Sequence, residues 1–215
     1  MSASHFFNPA STDPDRLIAH YIAPNERRIV GWLGESTAPI RSTAFSTGHE
    51  GWCGADLLVY PHTACTARRC KHYLHAFTLL LKKVVLLNNR RPDDPWDAQT
   101  AARLYHERFV RGLRFCRFAP LDEAYYRQRS DGILDGIQGV IADVNSGRIA
   151  NPYRPEVWGV FEDGELLDQP AVDQLRDLAR RDFQLGLKLY DEWNNVLFVV
   201  QTRTHYLLFR WQTFA

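Results

Sequence analysis

Residues 55–89 read "ADLLVYPHTACTARRCKHYLHAFTLLLKKVVLLNN". How this stretch folds decides the architecture around it. "ADLLVYP" is a short apolar run closed by proline, the pattern of a strand buried on both faces. From Thr63 to Lys83 apolar residues recur at helical spacing. "VVLLNN" then either continues that helix or forms a second strand. In the second case the stretch is a β-α-β unit, and its sheet is parallel and covered on both sides.

Working outward, Asp13-Pro14 has the form of a helix start, with Asp13 as N-cap and Pro14 in the first turn. That helix runs to about residue 22 and stops before Pro24. Residues 28–33 read as a strand, and 34–54, rich in Gly, Ser and Thr, as loop with some extended chain. Asp94-Pro95 opens a helix over about 96–117. Pro120 separates it from another over about 121–145, ended by Gly147. Gly132, Gly136 and Gly139 inside that helix point to close backbone packing or a local break. "VWGVFEDGELL" (157–167) reads as two strands about an Asp-Gly turn. Residues 169–193 read as one helix carrying Val172, Leu175, Leu178, Ala179, Phe183, Leu187 and Tyr190. A final hairpin turns near residues 202–204. The sum is an α+β or α/β fold: a single mixed domain over 1–215 with a central sheet, several long helices and a C-terminal β-hairpin. The one candidate subdivision lies near 148–156.

With 45% hydrophobic and 24% charged residues among 215, the chain can bury a sizeable core. No apolar run approaches the length of a membrane-spanning helix. The start, "MSASHFFNPASTDPD", lacks the basic and apolar regions of a secretory signal. Four cysteines are few for a disulfide scaffold of this size, so the thiols are expected reduced and the protein cytoplasmic. Net charge is only +1, but residues 60–118 carry 12 Lys/Arg against 4 Asp/Glu, and residues 119–195 carry 8 against 15. Either the two segments face each other, or the basic one offers a surface to an anionic partner.

Seven of the 12 histidines and cysteines fall in 49–75: His49, Cys53, His62, Cys65, Cys70, His72 and His75. With a helix starting near Ala64, Cys70 joins Leu74, Phe77 and Leu81 on the apolar side. Cys65, Arg68, His72 and His75 share the other side, with Arg69 at its margin. His62 and Cys65 then sit where a strand meets a helix N-terminus, a place that favours an anion or a thiolate. This spacing makes Cys65 the candidate reactive centre, His62 or His72 the base, and Arg68, with Arg69, the clamp on an anion. Cys53, between Gly51 and Gly54, is a second candidate thiol, and His205 a further base.

Zinc is the other chemistry the window allows, with His49, Cys53, His62 and Cys65 as first candidates and His72 and His75 as further ones. No Cys-x2-Cys pair supports it. "YPHTAC" is similar to the Pro-Cys-x2-Cys turn of zinc deaminases, with His62 in the first Cys place. Those enzymes also need His-x-Glu on a preceding helix, and the 12 residues between His49 and His62 leave no room for it. Lys71 stands where a Cys-x5-Arg phosphatase loop requires arginine. Arg69-x5-His75 fits only the loose spacing of some helical ribonucleases.

Residues 103–118, "RLYHERFVRGLRFCRF", place Tyr105, Phe109, Val110, Leu113 and Cys116 on one side of a helix. Arg103, Arg108, Arg111, Arg114 and Arg117 spread over the other. Two classes of function follow. One is a small hydrolase or transferase acting on an anionic substrate such as a nucleotide or nucleic acid. The other is a non-catalytic inhibitor or immunity-type protein whose Arg108, Arg111 and Arg114 meet an acidic protein surface.

Overall fold

The computed structural model describes residues 14–47, 53–68, 72–88, 98–148, 158–163 and 165–213. Its centre is an eight-stranded sheet in which every neighbouring pair is antiparallel. The strands are β1 (Arg41–Thr47), β2 (Cys53–Pro61), β3 (Ala119–Pro120), β4 (Trp158–Glu162), β5 (Glu165–Leu166), β6 (Phe183–Asp191), β7 (Asn195–Thr202) and β8 (His205–Thr213). Their spatial order is β3-β6-β7-β8-β2-β1-β4-β5. Both edge strands are two residues long, and Pro120 removes a further donor from one of them, which blunts the edges against pairing with another chain.

The helical segments are α1 (Pro14–Leu17), α2 (Glu26–Gly34), α3 (His72–Asn88), α4 (Ala98–Arg114), α5 (Glu123–Asn145) and α6 (Gln169–Arg180). Helices α2, α3 and α4 cover one face of the sheet. There Ile29, Leu33, Leu74, Phe77, Phe109 and Leu113 pack on Leu58, Leu189, Val199 and Leu208. Helices α5 and α6 cover the other, with Ile133, Leu134, Ile137, Val172 and Leu175 against Leu57, Val59, Phe198 and Phe209. The fold is thus a single mixed α+β arrangement with its sheet between two helical layers. Among the described residues no helix is long and apolar enough to cross a membrane.

This arrangement corrects the β-α-β reading. "VVLL" is the last part of α3, and the sheet is antiparallel. Strand β2 is apolar along its length because both its faces are buried: Ala55, Leu57 and Val59 point to one layer, Leu58 and Tyr60 to the other. Double burial, not parallel pairing, produces a continuous apolar run.

Two other expectations change. Residues 28–33 lie in α2, with Ile29, Trp32 and Leu33 buried at helical spacing. The long helix over 169–193 stops at Arg180, where Asp182 takes a left-handed φ of 55° and turns the chain into β6. In β6, Leu185, Leu187 and Leu189 alternate with Gln184, Gly186 and Lys188, and the leucines face the α3 layer. Gly186 is required where it stands, since an added Cβ would lie 2.8 Å from the Leu121 Cβ.

Helix α5 begins at Asp122, whose carboxylate accepts from the Tyr125 amide (3.1 Å), and ends before Gly147 at φ +73°. The hairpins about Asp163 and about residues 202–204 are present as expected. The starting residues Asp13 and Asp94 lie outside the described residues. Helix α5 is unbroken, and open space surrounds Gly132, Gly136 and Gly139. Neither close packing nor a break explains these glycines, so each should cost helix stability. Gly132→Ala, Gly136→Ala and Gly139→Ala are each expected to raise unfolding free energy by about 0.5–1 kcal/mol, measured by urea titration; a loss at any of them would show a covered face.

Candidate active site

At the end of β2, Pro61 stands opposite His205, and the His62 amide donates to the Thr204 carbonyl (2.9 Å). A single 3-10 turn, His62–Ala64, follows. The Tyr60 hydroxyl donates to the Ala64 carbonyl (2.8 Å), and the Cys65 amide closes the turn on the His62 carbonyl (3.1 Å). Cys65 itself is extended (φ −76°, ψ 113°), the chain from Cys65 to Arg68 is not helical, and α3 is described from His72 onward. The expected helix start near Ala64 is therefore corrected. The Cys65 thiol is not at a helix N-terminus and does not share a helix with His72 and His75.

It meets one of them across space. Cys65 Sγ lies 3.1 Å from His75 Nδ1, and His75 Nε2 lies 3.0 Å from the Glu35 carboxylate. A carboxylate can only accept, so the imidazole donates through Nε2–H; in the neutral ring Nδ1 then accepts from the Cys65 S–H. Three elements build this chain of contacts: the turn after β2, the second turn of α3, and the end of α2. The ring is fully buried. The Trp32 ring stands T-shaped to it with centroids 5.1 Å apart, the Tyr60 centroid is 6.1 Å away, and Thr66 Oγ1 lies 3.5 Å from Nε2. Glu35 keeps 37% of its side chain exposed, and Cys65 is half-buried, so solvent reaches both ends.

The helical-wheel division fails because α3 has no solvated side along residues 73–80; every one of them is buried. One side of α3 packs on the sheet, and the other receives α2 and α4. His75 is thus an inward ring with two partners. It was on the expected polar face but was not singled out, and Glu35, 40 residues away, carried no sequence signal at all.

Burial pushes the Cys65 thiol up to about 11, with the Glu35 charge adding to the shift and the Ala67 amide opposing it. At neutral pH the Cys65 sulfur therefore rests as the thiol.

The other expected site residues are placed as follows. The backbone carbonyl of His72 lies 3.7 Å from the Cys65 sulfur; no bond joins its ring to the thiol. His62 packs its ring on Tyr206 (4.3 Å between centroids) with Nε2 buried and unbonded among the described residues. Arg68 is exposed, three residues past Cys65. Arg69, Cys70 and His49 lie outside the described residues, as does the side chain of Cys53. Cys53 opens β2 and Pro61 closes it; at about 3.3 Å per residue they stand about 26 Å apart, so Cys53 cannot share an ion with His62 or Cys65. Among the described residues no three His, Cys, Asp or Glu side chains are grouped to hold a metal. Cys116 is buried as expected and in no disulfide, but α4 ends at Arg114, so it stands two residues past the helix that was expected to carry it; its thiol is also raised to about 11 by burial.

No protein-family model, curated protein or solved structure matches the chain.

Two measurements follow from these environments. Alkylation of Cys65 by iodoacetamide, located by mass spectrometry, should lag a free thiol at about pH 8 and still rise above about pH 9; a plateau in the acid range would reveal a preformed ion pair. Burial also lowers the pKa of His62, with His205 and His72 adding to it, and burial lowers that of His205. The unfolded chain then takes up protons first as pH falls. Stability held above about pH 6.5 should be lost on acidification through that value, and His62→Phe should flatten the loss in thermal melts.

Proposed function

We propose that the protein is a small intracellular thiol-dependent hydrolase or transferase, with Cys65 as nucleophile, His75 as general base and Glu35 as the group that orients the imidazole. The observation carrying this reading is the unbroken line from sulfur to imidazole to carboxylate at 3.1 and 3.0 Å. Such a triad is recognised by geometry and roles, not by order in the chain. Acyl transfer is the reaction class it suits. As Cys65 Sγ bonds to an acyl carbon, its proton passes to His75 Nδ1. The same proton then goes to the leaving group as the carbon–leaving-group bond breaks. Water, giving its proton to His75, or another acceptor then releases the thioester. Glu35 holds the tautomer and offsets the charge on the imidazolium. Arg68, exposed three residues past Cys65, suits a substrate carrying an anionic group, a nucleotide among them.

p-Nitrophenyl esters with neutral and carboxylate-bearing acyl chains test this. The wild type should release a burst of nitrophenol equal to the enzyme present, with the acyl group found on Cys65. Cys65→Ala should abolish it, and His75→Gln should slow acylation by about 10²–10⁴-fold without loss of fold. Arg68→Ala should raise KM for the charged ester alone. Undiminished turnover in Cys65→Ala would overturn the reading, leaving the trio a structural network.

A second reading rests on a separate observation. Arg103, Arg108, Arg111 and Arg114 are exposed on α4, and none forms an ion pair among the described residues. Among the described residues the acidic segment forms no ion pair with them. Asp131 and Asp135 of α5 pair with Arg176 and Arg180 of α6, across the sheet from α4. Phe115, 71% exposed, stands beside Arg114. This surface suits an acidic protein or a phosphate backbone. Arg111→Glu with Arg114→Glu should weaken capture of such a partner by tenfold or more, an effect comparable to adding about 0.3 M salt; salt-insensitive capture would exclude it.

A further inference from the structure

Between α3, α4 and the sheet lies a cavity of about 120 Å³. Its walls are almost wholly apolar, formed by Leu81, Val84, Tyr105, Phe109, Leu113 and Leu197. Two cations join the lining: Lys82 of α3 and Arg108 of α4. Lys82 is only 9% exposed. Its ammonium donates to the Glu35 carbonyl (2.5 Å) and stands 5.9 Å from the Tyr105 ring centroid. An ammonium has three donors, and among the described residues this one has a single hydrogen-bond acceptor. Arg108 is exposed and makes no ion pair among the described residues. A buried cation short of acceptors, lining an apolar cavity with a second cation in its wall, is a complement for one kind of molecule.

We infer that this cavity binds a small carboxylate, with a single ring or short aliphatic chain inside and the carboxylate shared by Lys82 and Arg108. The volume matches a group close to a benzene ring in size. A carboxylate supplies the acceptors Lys82 lacks, and the charge-assisted bonds favour it over a neutral isostere. Burial lowers the pKa of Lys82, and a carboxylate alongside opposes that shift. The site is separate from the thiol: Lys82 lies seven residues beyond His75 on α3, about 10 Å along the axis.

Benzoate and benzyl alcohol, titrated separately into the full chain and followed by NMR shifts, test the inference. Benzoate should bind at one saturable site on α3 and α4, about tenfold tighter than benzyl alcohol. Arg108→Gln, at an exposed position that does not threaten folding, should bring the two affinities to within about twofold of each other. Val84→Trp should fill the space and remove binding of both. Cys65→Ala should leave benzoate affinity unchanged, which keeps this outcome distinct from that of the proposed enzyme. Equal affinity of the two probes for the wild type, absence of saturable binding, or binding indifferent to Val84→Trp would each overturn it.

Discussion

Nine successive residue pairs join β2 to β8, from Cys53 opposite Thr213 to Pro61 opposite His205, and the rest of the molecule is arranged about that ladder. Its register is held by more than backbone bonds. Asp56 stands opposite Arg210, and the guanidinium grips the carboxylate through Nε (2.7 Å) and Nη2. Both are largely buried, on the α3 side of the sheet. A slip of one residue would move this pair into the apolar layer under α5 and bring Leu57 and Val59 to the other side. The same register carries Tyr60 to the hydroxyl position that closes the 3-10 turn, and so fixes where the Cys65 sulfur stands.

A second constraint comes from burying α3 on both sides. Any polar side chain between residues 73 and 82 must find its partners inside the protein or lose hydrogen bonds it had in water. Glu35, at the end of α2, answers for two of them. Its carboxylate meets His75 and its backbone carbonyl meets the Lys82 ammonium. One residue thereby ties α2 to α3, orients the imidazole toward the thiol and leaves the ammonium with donors to spare beside the cavity. Both candidate sites depend on this contact.

The sheet also divides the charge. Carboxylates on α5 are met by arginines of α6, while the arginines of α4 lie on the far side of two layers of apolar side chains. The near-zero net charge conceals a basic face. Among the described residues no ion pair joins the basic and acidic segments.

Much of the architecture was legible because it follows from local rules: the capped start and glycine end of α5, the two hairpins, and the apolar side of α4, with Cys116 buried just past its end. The misreadings share one cause. A helix or strand covered on both faces loses the contrast between apolar and polar positions that periodicity depends on, so β2 looked like a strand of a parallel sheet and α3 was divided into sides it does not have. For the site, sequence alone set the chemical types in play, a thiol with histidines within a few residues. Which imidazole meets the sulfur, and that a carboxylate 40 residues away completes the line, was decided by packing α2 against α3, because such contacts depend on the path of the chain through space and not on spacing along it.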